Sequence, residues 1–183
     1  MILPVDIQKN FLRKKCLDLR KQKNMVNLSK EIVSKIISWD KYISSKKIMI
    51  FYPISHEINL LALLKDTNKK FYLPRIHDNT LLCCPFSNEN HLKRNKSIKS
   101  IFEPITEPID KNEMDIIFIP ALATDQNFNR LGYGKGFYDK FLRNCSAIKV
   151  IPTYKDVFFQ KIPTTAEDIS ADVLVFPEKI IIS

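Results

Sequence analysis

Glycine is nearly missing from this chain: 183 residues carry only three. Turns that ordinarily use it are made without it, so the three positions that keep it need an unusual backbone or a close approach. Long apolar runs are missing too. The longest, around residues 116–123, is broken by Pro120 and falls well short of a membrane span. The N-terminus, MILPVDIQKN, lacks the charged start and extended apolar core of a secretory leader. Four cysteines form no CxxC pair, which argues against a zinc or thioredoxin-type motif and for reduced thiols. His56, His77 and His91 lie far apart with no ligand spacing. No internal repeat or low-complexity linker breaks the sequence. These absences leave one globular domain over residues 1–183, expected in the cytoplasm, monomeric and without a membrane partner.

What is present is charge and a regular alternation of elements. The net charge of +9 favours anionic partners such as nucleotides, phosphates or polycarboxylates. The cations are spread along the chain and no basic patch is interleaved with aromatics, so nucleic acid is not expected. Residues 5–23 place Ile7, Phe11, Leu12, Cys16 and Leu19 at helical spacing, predicting one apolar stripe. A second helix is predicted from Leu28 to Ser44, with Ile32, Val33, Ile36, Ile37 and Ile43 inward. Strands are predicted over 46–53, 69–76, 80–86, 115–122, 149–154 and 172–176, with a short helix over 59–67 and a terminal KIIIS. Residues 87–112 read as loop. The alternation predicts a three-layer α/β/α sandwich on a mainly parallel, Rossmann-like sheet, whose ligands sit at the carboxyl ends of the strands.

All three glycines fall in NRLGYGKGFYDKF, residues 129–141, at alternate positions 132, 134 and 136. The spacing matches neither GxxxxGK[ST] nor GxGxxG. Alternate glycines free successive N–H groups to form an anion nest. A helix starting near Gly136 adds its unpaired N–H groups, and Arg130 and Lys135 add full charges. The stretch reads as a phosphate site or as a structural turn. Asp139, in the first helical turn, reads as an acid favoured by the helix dipole or as a Mg²⁺ holder beside phosphates. Lys9 and Arg13, at i and i+4, share one helix face, which by itself reads as a solvated basic surface.

RLGYGKGFYDKFL (130–142) resembles the signature of the 5-formyltetrahydrofolate cyclo-ligase family. Further stretches resemble the family in the same order: KNFLR (9–13), FYPISHEI (51–58), FEP (102–104), DIIFIPALATD (115–125) and QKIPTTAEDISADVL (160–174). Departures fall at Ser100, Ala121, Thr124 and Phe137, none of them a charged position of the pattern. Some members also carry a cation where this chain has Tyr133, so more of the local charge falls to Lys135.

The resemblance implies an ATP- and Mg²⁺-dependent enzyme that closes 5-formyltetrahydrofolate to 5,10-methenyltetrahydrofolate, releasing ADP and phosphate. It implies that Lys9, Arg13, Arg130 and Leu131 contact ATP, with Gly132, Tyr133, Gly134, Lys135, Gly136, Phe137 and Tyr138 of the signature. Lys135 is the implied catalytic cation. The folate side falls to Glu57, as acceptor for pterin N–H groups, and to Tyr52 as a flat wall. Residues 133–137 also touch the folate in this reading, and Asp139 and Asp168 hold Mg²⁺. The partners implied are small molecules only, a reduced folate and ATP.

Overall fold

The computed structural model describes residues 3–54, 56–96, 98 and 100–183. Helix α1 (Val5–Lys21) begins after Pro4. Helix α2 (Met25–Ile37) is capped by Asn24, whose side chain accepts from Asn27 N–H, and α3 (Asp40–Ser44) follows. The chain then runs through β1 (Lys47–Met49), β2 (Lys70–His77), β3 (Thr80–Phe86), β4 (Leu92–Arg94), β5 (Phe102–Pro104), β6 (Ile116–Phe118), β7 (Ala123–Asp125) and β8 (Arg130–Leu131). Helix α4 (Phe137–Leu142), β9 (Ile148–Pro152), β10 (Phe158–Phe159), β11 (Val173–Val175) and β12 (Ile180–Ile182) complete it.

The main sheet has seven strands in the order β12-β11-β9-β6-β1-β2-β3. Its five inner strands, β11 to β2, are parallel, and both edge strands are antiparallel. From the central β6–β1 pair the chain proceeds outward in opposite directions, which makes a topological switch point there. A three-stranded sheet β10-β7-β8 and a ribbon β4-β5 stand beside it.

Period-two side-chain alternation builds two cores. Ile48, Ile50, Ile116, Phe118 and Val173 pack with Cys16 of α1 and with Ile32 and Ile36 of α2. Met49, Ile117, Ile119, Ile151 and Leu174 pack with Phe141 and Leu142 of α4. Helices therefore cover both faces, as expected of the three-layer sandwich. No helix among the described residues is long and apolar enough to cross a membrane.

Three local expectations are corrected. The buried face of α1 is only part of the apolar stripe: Ile7 and Phe11 are exposed and Leu12 is half-buried against the core, while Cys16 points inward together with Lys9 and Arg20. Two of these are cations, and burying a cation requires partners. Those partners belong to the site described below, which outweighs the hydropathy pattern. The second helix is two, separated at Ser38 and Trp39, and Ile37 and Ile43 are exposed. Finally, residues 87–112 carry the β4–β5 ribbon, anchored where Arg75 donates to the carbonyls of Pro104 (3.1 Å) and Thr106 (2.8 Å).

Candidate active site

A cavity of about 910 Å³ opens at the carboxyl ends of β1 and β6, at the switch point of the sheet. Phe51 and Tyr52, after β1, and Pro120, after β6, form its floor. The inward face of α1, the glycine stretch and the segment around Asp168 complete the walls. All of the site residues expected from the sequence line this one cavity. This holds for Lys9 and Arg13 on α1, Tyr52 and Glu57 after β1, residues 130–139, and Asp168.

The glycines have two distinct structural uses. A Cβ on Gly132 would lie 3.0 Å from Arg130 Nη1, and one on Gly134 3.2 Å from Arg13 Cζ. Both therefore make room for an arginine. Gly136 instead adopts φ 66° and caps α4, with open space where a side chain would go. Arg13 is tied to the stretch directly, its Nε donating to the Gly132 carbonyl at 2.9 Å, while its Nη1 donates to Asn10 at 2.6 Å. Lys135 projects from between Gly134 and Gly136. It is exposed and has no ion-pair or hydrogen-bond partner among the described residues. A cation held on a glycine loop with no protein anion is suited to meet a ligand anion.

Two of the other cations are paired with acids. Lys9 Nζ lies 2.5 Å from Asp168 Oδ2, and Arg130 Nη2 lies 2.5 Å from Asp139 Oδ1. Asp139 Oδ1 also accepts from Ile169 N–H at 3.2 Å, which ties the two acidic segments together. Burial works to raise the pKa of Asp168. The bonds from Lys9 and from the Thr165 N–H and hydroxyl outweigh it, and the carboxyl titrates below its ordinary value.

Among the described residues no three His, Cys, Asp or Glu cluster as a metal cage. Two neighbouring carboxylates, with Asp139 Oδ2 and Asp168 Oδ1 not engaged in these bonds, fit a hard cation that keeps most of its water. Mg²⁺ held jointly with phosphates is such an ion. Asp125, by contrast, is spent on structure: it is fully buried and accepts from Asn127, Asn129 and Ile162.

Glu57 reaches the cavity from the loop after β1. It is only 7% exposed, and Oε2 accepts from Ile54 N–H at 2.8 Å. Burial raises its pKa above the ordinary glutamate value, and the Ile54 N–H, the Tyr133 side chain and the charge of Arg20 only partly offset this. Tyr52 stands nearby, its ring 5.4 Å from that of Phe102 and tilted 46° to it, giving an aromatic wall.

The cavity also holds charged residues not expected from the sequence. Glu103, Lys140 and Arg143 line it. Glu103 lies within the FEP match, but its buried position, accepting from Ile76 N–H at 2.8 Å and Asn95 Nδ2 at 2.9 Å, depends on the ribbon. Lys140 and Arg143 carry no signal apart from general basicity. Arg20, which lies outside this cavity in a small cleft beside Glu57, does carry one, since it continues the face of Lys9, Arg13 and Cys16 along α1.

Known proteins resemble the chain over most of its length. The model of the 5-formyltetrahydrofolate cyclo-ligase family matches residues 6–177. The 5-formyltetrahydrofolate cyclo-ligase of Haemophilus influenzae is 33% identical over 144 residues, covering 72% of this chain and 76% of its own. The mouse protein of that name is 26% identical over 164 residues, covering 80% and 81%. Among solved structures, a 5,10-methenyltetrahydrofolate synthetase from Aquifex aeolicus superposes with a TM-score of 0.84 at 30% identity, over 94% of this chain and 91% of that one. One from Mycoplasma pneumoniae shares the fold, with a TM-score of 0.74 at 20% identity, over 92% and 98%.

Proposed function

Because the chain belongs to the 5-formyltetrahydrofolate cyclo-ligase family, we propose that its cavity binds ATP and 5-formyltetrahydrofolate together and closes the folate to 5,10-methenyltetrahydrofolate, with release of ADP and phosphate. The observation that carries this reading is the division of charge within one cavity. Lys135, without a protein partner among the described residues, Arg13 and the Lys9–Asp168 and Arg130–Asp139 pairs gather at the glycine stretch, and the buried acceptor Glu57 comes to the same cavity from the loop after β1, beside Tyr133.

The chemistry explains the need for both ends. A formamide oxygen is a poor leaving group. In the proposed sequence it attacks the γ-phosphorus of ATP, an O–P bond forms, and the bond to ADP breaks. N10 then attacks the activated carbon and loses its proton, the C–O bond breaks, and inorganic phosphate departs with the former formyl oxygen. Phosphoryl transfer of this kind is accelerated by positioning and charge stabilisation.

Lys135 neutralises charge on the transferred phosphoryl group. Arg13 and Lys9 hold the phosphate chain, and the N–H groups from Arg130 through Tyr138 orient it. Asp139 and Asp168 hold Mg²⁺, which when bound supplies positive charge beside the phosphates. Glu57 accepts from the pterin N–H groups and fixes the folate so that its formyl oxygen faces the phosphate end. Tyr52 packs beside the ring.

The test is direct. Purified protein is mixed with 5-formyltetrahydrofolate and MgATP, and the near-ultraviolet band of the methenyl product is followed. A rise that requires ATP supports the reading. No rise from folded protein that binds ATP overturns it.

A further inference from the structure

Arg20 is a deeply buried cation that the proposed reaction does not use. It sits near the C-terminal end of α1, 2% exposed. About 16 Å of helix separates it from Lys9 on the same face. No carboxylate salt-bridges it among the described residues. Instead Nη2 donates to the Ala121 carbonyl and Nη1 to the His56 carbonyl at 3.4 Å, while Nε is buried without a partner. Those carbonyls belong to the loops that leave β6 and β1, so one guanidinium joins the two loops flanking the switch point. Arg20 and Glu57 also line one small cleft with Phe51, Pro120 and Ala121.

We infer that Arg20 is the positioning residue of the folate end: it clamps the loop carrying Glu57 and keeps that carboxylate a charged acceptor aimed at the pterin. This role rests on the proposed reading of Glu57. Three charged or titratable side chains face Glu57. Arg20 comes from α1, Tyr133 from the glycine stretch, and Tyr138 from α4. Arg20 is the one cation among them. The Tyr133 phenol lies between Glu57 and Arg20, and its pKa is raised, first by burial and then by the Glu57 charge. Tyr138 has a buried hydroxyl without a hydrogen-bond partner among the described residues and is likewise shifted upward by burial.

Neither phenol supplies positive charge at neutral pH. The Ile54 N–H and the Tyr133 side chain also favour the carboxylate, and loss of the Arg20 charge shifts the balance further toward the protonated acid, which has less capacity to accept from N–H donors.

The experiment compares Arg20→Met, Arg20→Lys, Glu57→Gln and the double variant Arg20→Met/Glu57→Gln with the unmodified chain. The readouts are KM for each substrate, 5-formyltetrahydrofolate binding without ATP, and the pH profile of kcat/KM for the folate. In Arg20→Met the folate KM should rise about ten-fold or more, the effect of losing a charged hydrogen-bond acceptor, with KM for ATP unchanged. The acid limb should move to higher pH. Arg20→Lys, which keeps the charge, should restore the limb and recover part of the affinity. In the Glu57→Gln background Arg20→Met should add little.

Equal rises in both KM values, an unmoved acid limb, or full additivity in the double variant would overturn the role and leave Arg20 a structural clamp. Should Arg20→Met fail to fold, Arg20→Gln takes its place: an acid limb moved to higher pH with only the folate KM raised supports the role, and an unmoved limb overturns it. A failure of the underlying reading looks different, because the unmodified chain would then neither bind nor convert the folate.

Discussion

Gly134 and Gly136 both have positive φ, 94° and 66°, yet only one of them has a neighbour to displace. Replacing each by alanine therefore separates backbone strain from damage to the proposed ATP site. At Gly136 the added methyl meets open space, and the cost is that of a left-handed alanine, about 1–2 kcal/mol. For a chain of this length that lowers Tm by roughly 2–8 °C. At Gly134 the strain is about 1–3 kcal/mol, and the methyl also approaches Arg13 Cζ to 3.2 Å and both Nη atoms to 3.4 Å. The guanidinium must shift by a few tenths of an ångström, and its bonds to the Gly132 carbonyl and Asn10 hold it where it is.

The expected outcome is a Tm loss in both variants. The KM for ATP should rise about ten-fold or more in Gly134→Ala alone, the effect of misplacing one charged hydrogen-bond donor. Thermal melts and steady-state kinetics at saturating folate measure the two effects separately. Equal KM values for ATP in the two variants would refute the reasoning, because strain alone would then explain both.

Other outcomes follow from the same geometry. Lys135→Ala should lower kcat by about a hundred-fold or more with little change in Tm, since the side chain is exposed and unpaired among the described residues; turnover assays with thermal melts check this. Asp139→Asn should raise the magnesium concentration for half-maximal activity about ten-fold or more, read from magnesium titrations. For pH, the Asp168 carboxyl titrates lower in the folded chain than in the unfolded one. The unfolded chain therefore binds more protons in the window between the two values. The stability is fully present above the ordinary aspartate value and is lost as pH falls through the depressed folded value. Acid melts of the unmodified chain should show this loss, and Lys9→Met should reduce it.

Much of the fold is legible in the sequence because the strands are short, apolar and alternating. Strand β3 matches its expected bounds, and the residues of β6 and β11 divide strictly between two cores. The mispredictions have a common cause, which is that local hydropathy does not register distant partners. Helix α1 turns Lys9 and Arg20 inward because Asp168 and two loop carbonyls, far away in sequence, receive them. The strands of the three-stranded side sheet, two or three residues each, are too short to show a period. Thr124, a departure from the family pattern, is satisfied by Thr153 at 3.0 Å across two elements, a pairing that neither residue signals alone.

The site itself is more legible than the fold around it. The glycine spacing alone marks a cation-lined loop, although Gly132 and Gly134 serve to accommodate arginines. The folate end needs three dimensions, since Glu57, Tyr133 and Arg20 meet only when β1, the glycine stretch and α1 are assembled.

The most direct test of the central claim follows one atom. 5-Formyltetrahydrofolate carrying heavy oxygen in its formyl group is turned over with MgATP, and the inorganic phosphate is analysed by mass spectrometry. Transfer of the label into phosphate, one atom per turnover, is the expected result, because the formyl oxygen leaves bonded to phosphorus. Label appearing in water, with unlabelled phosphate, would contradict phosphorylation of the formyl oxygen.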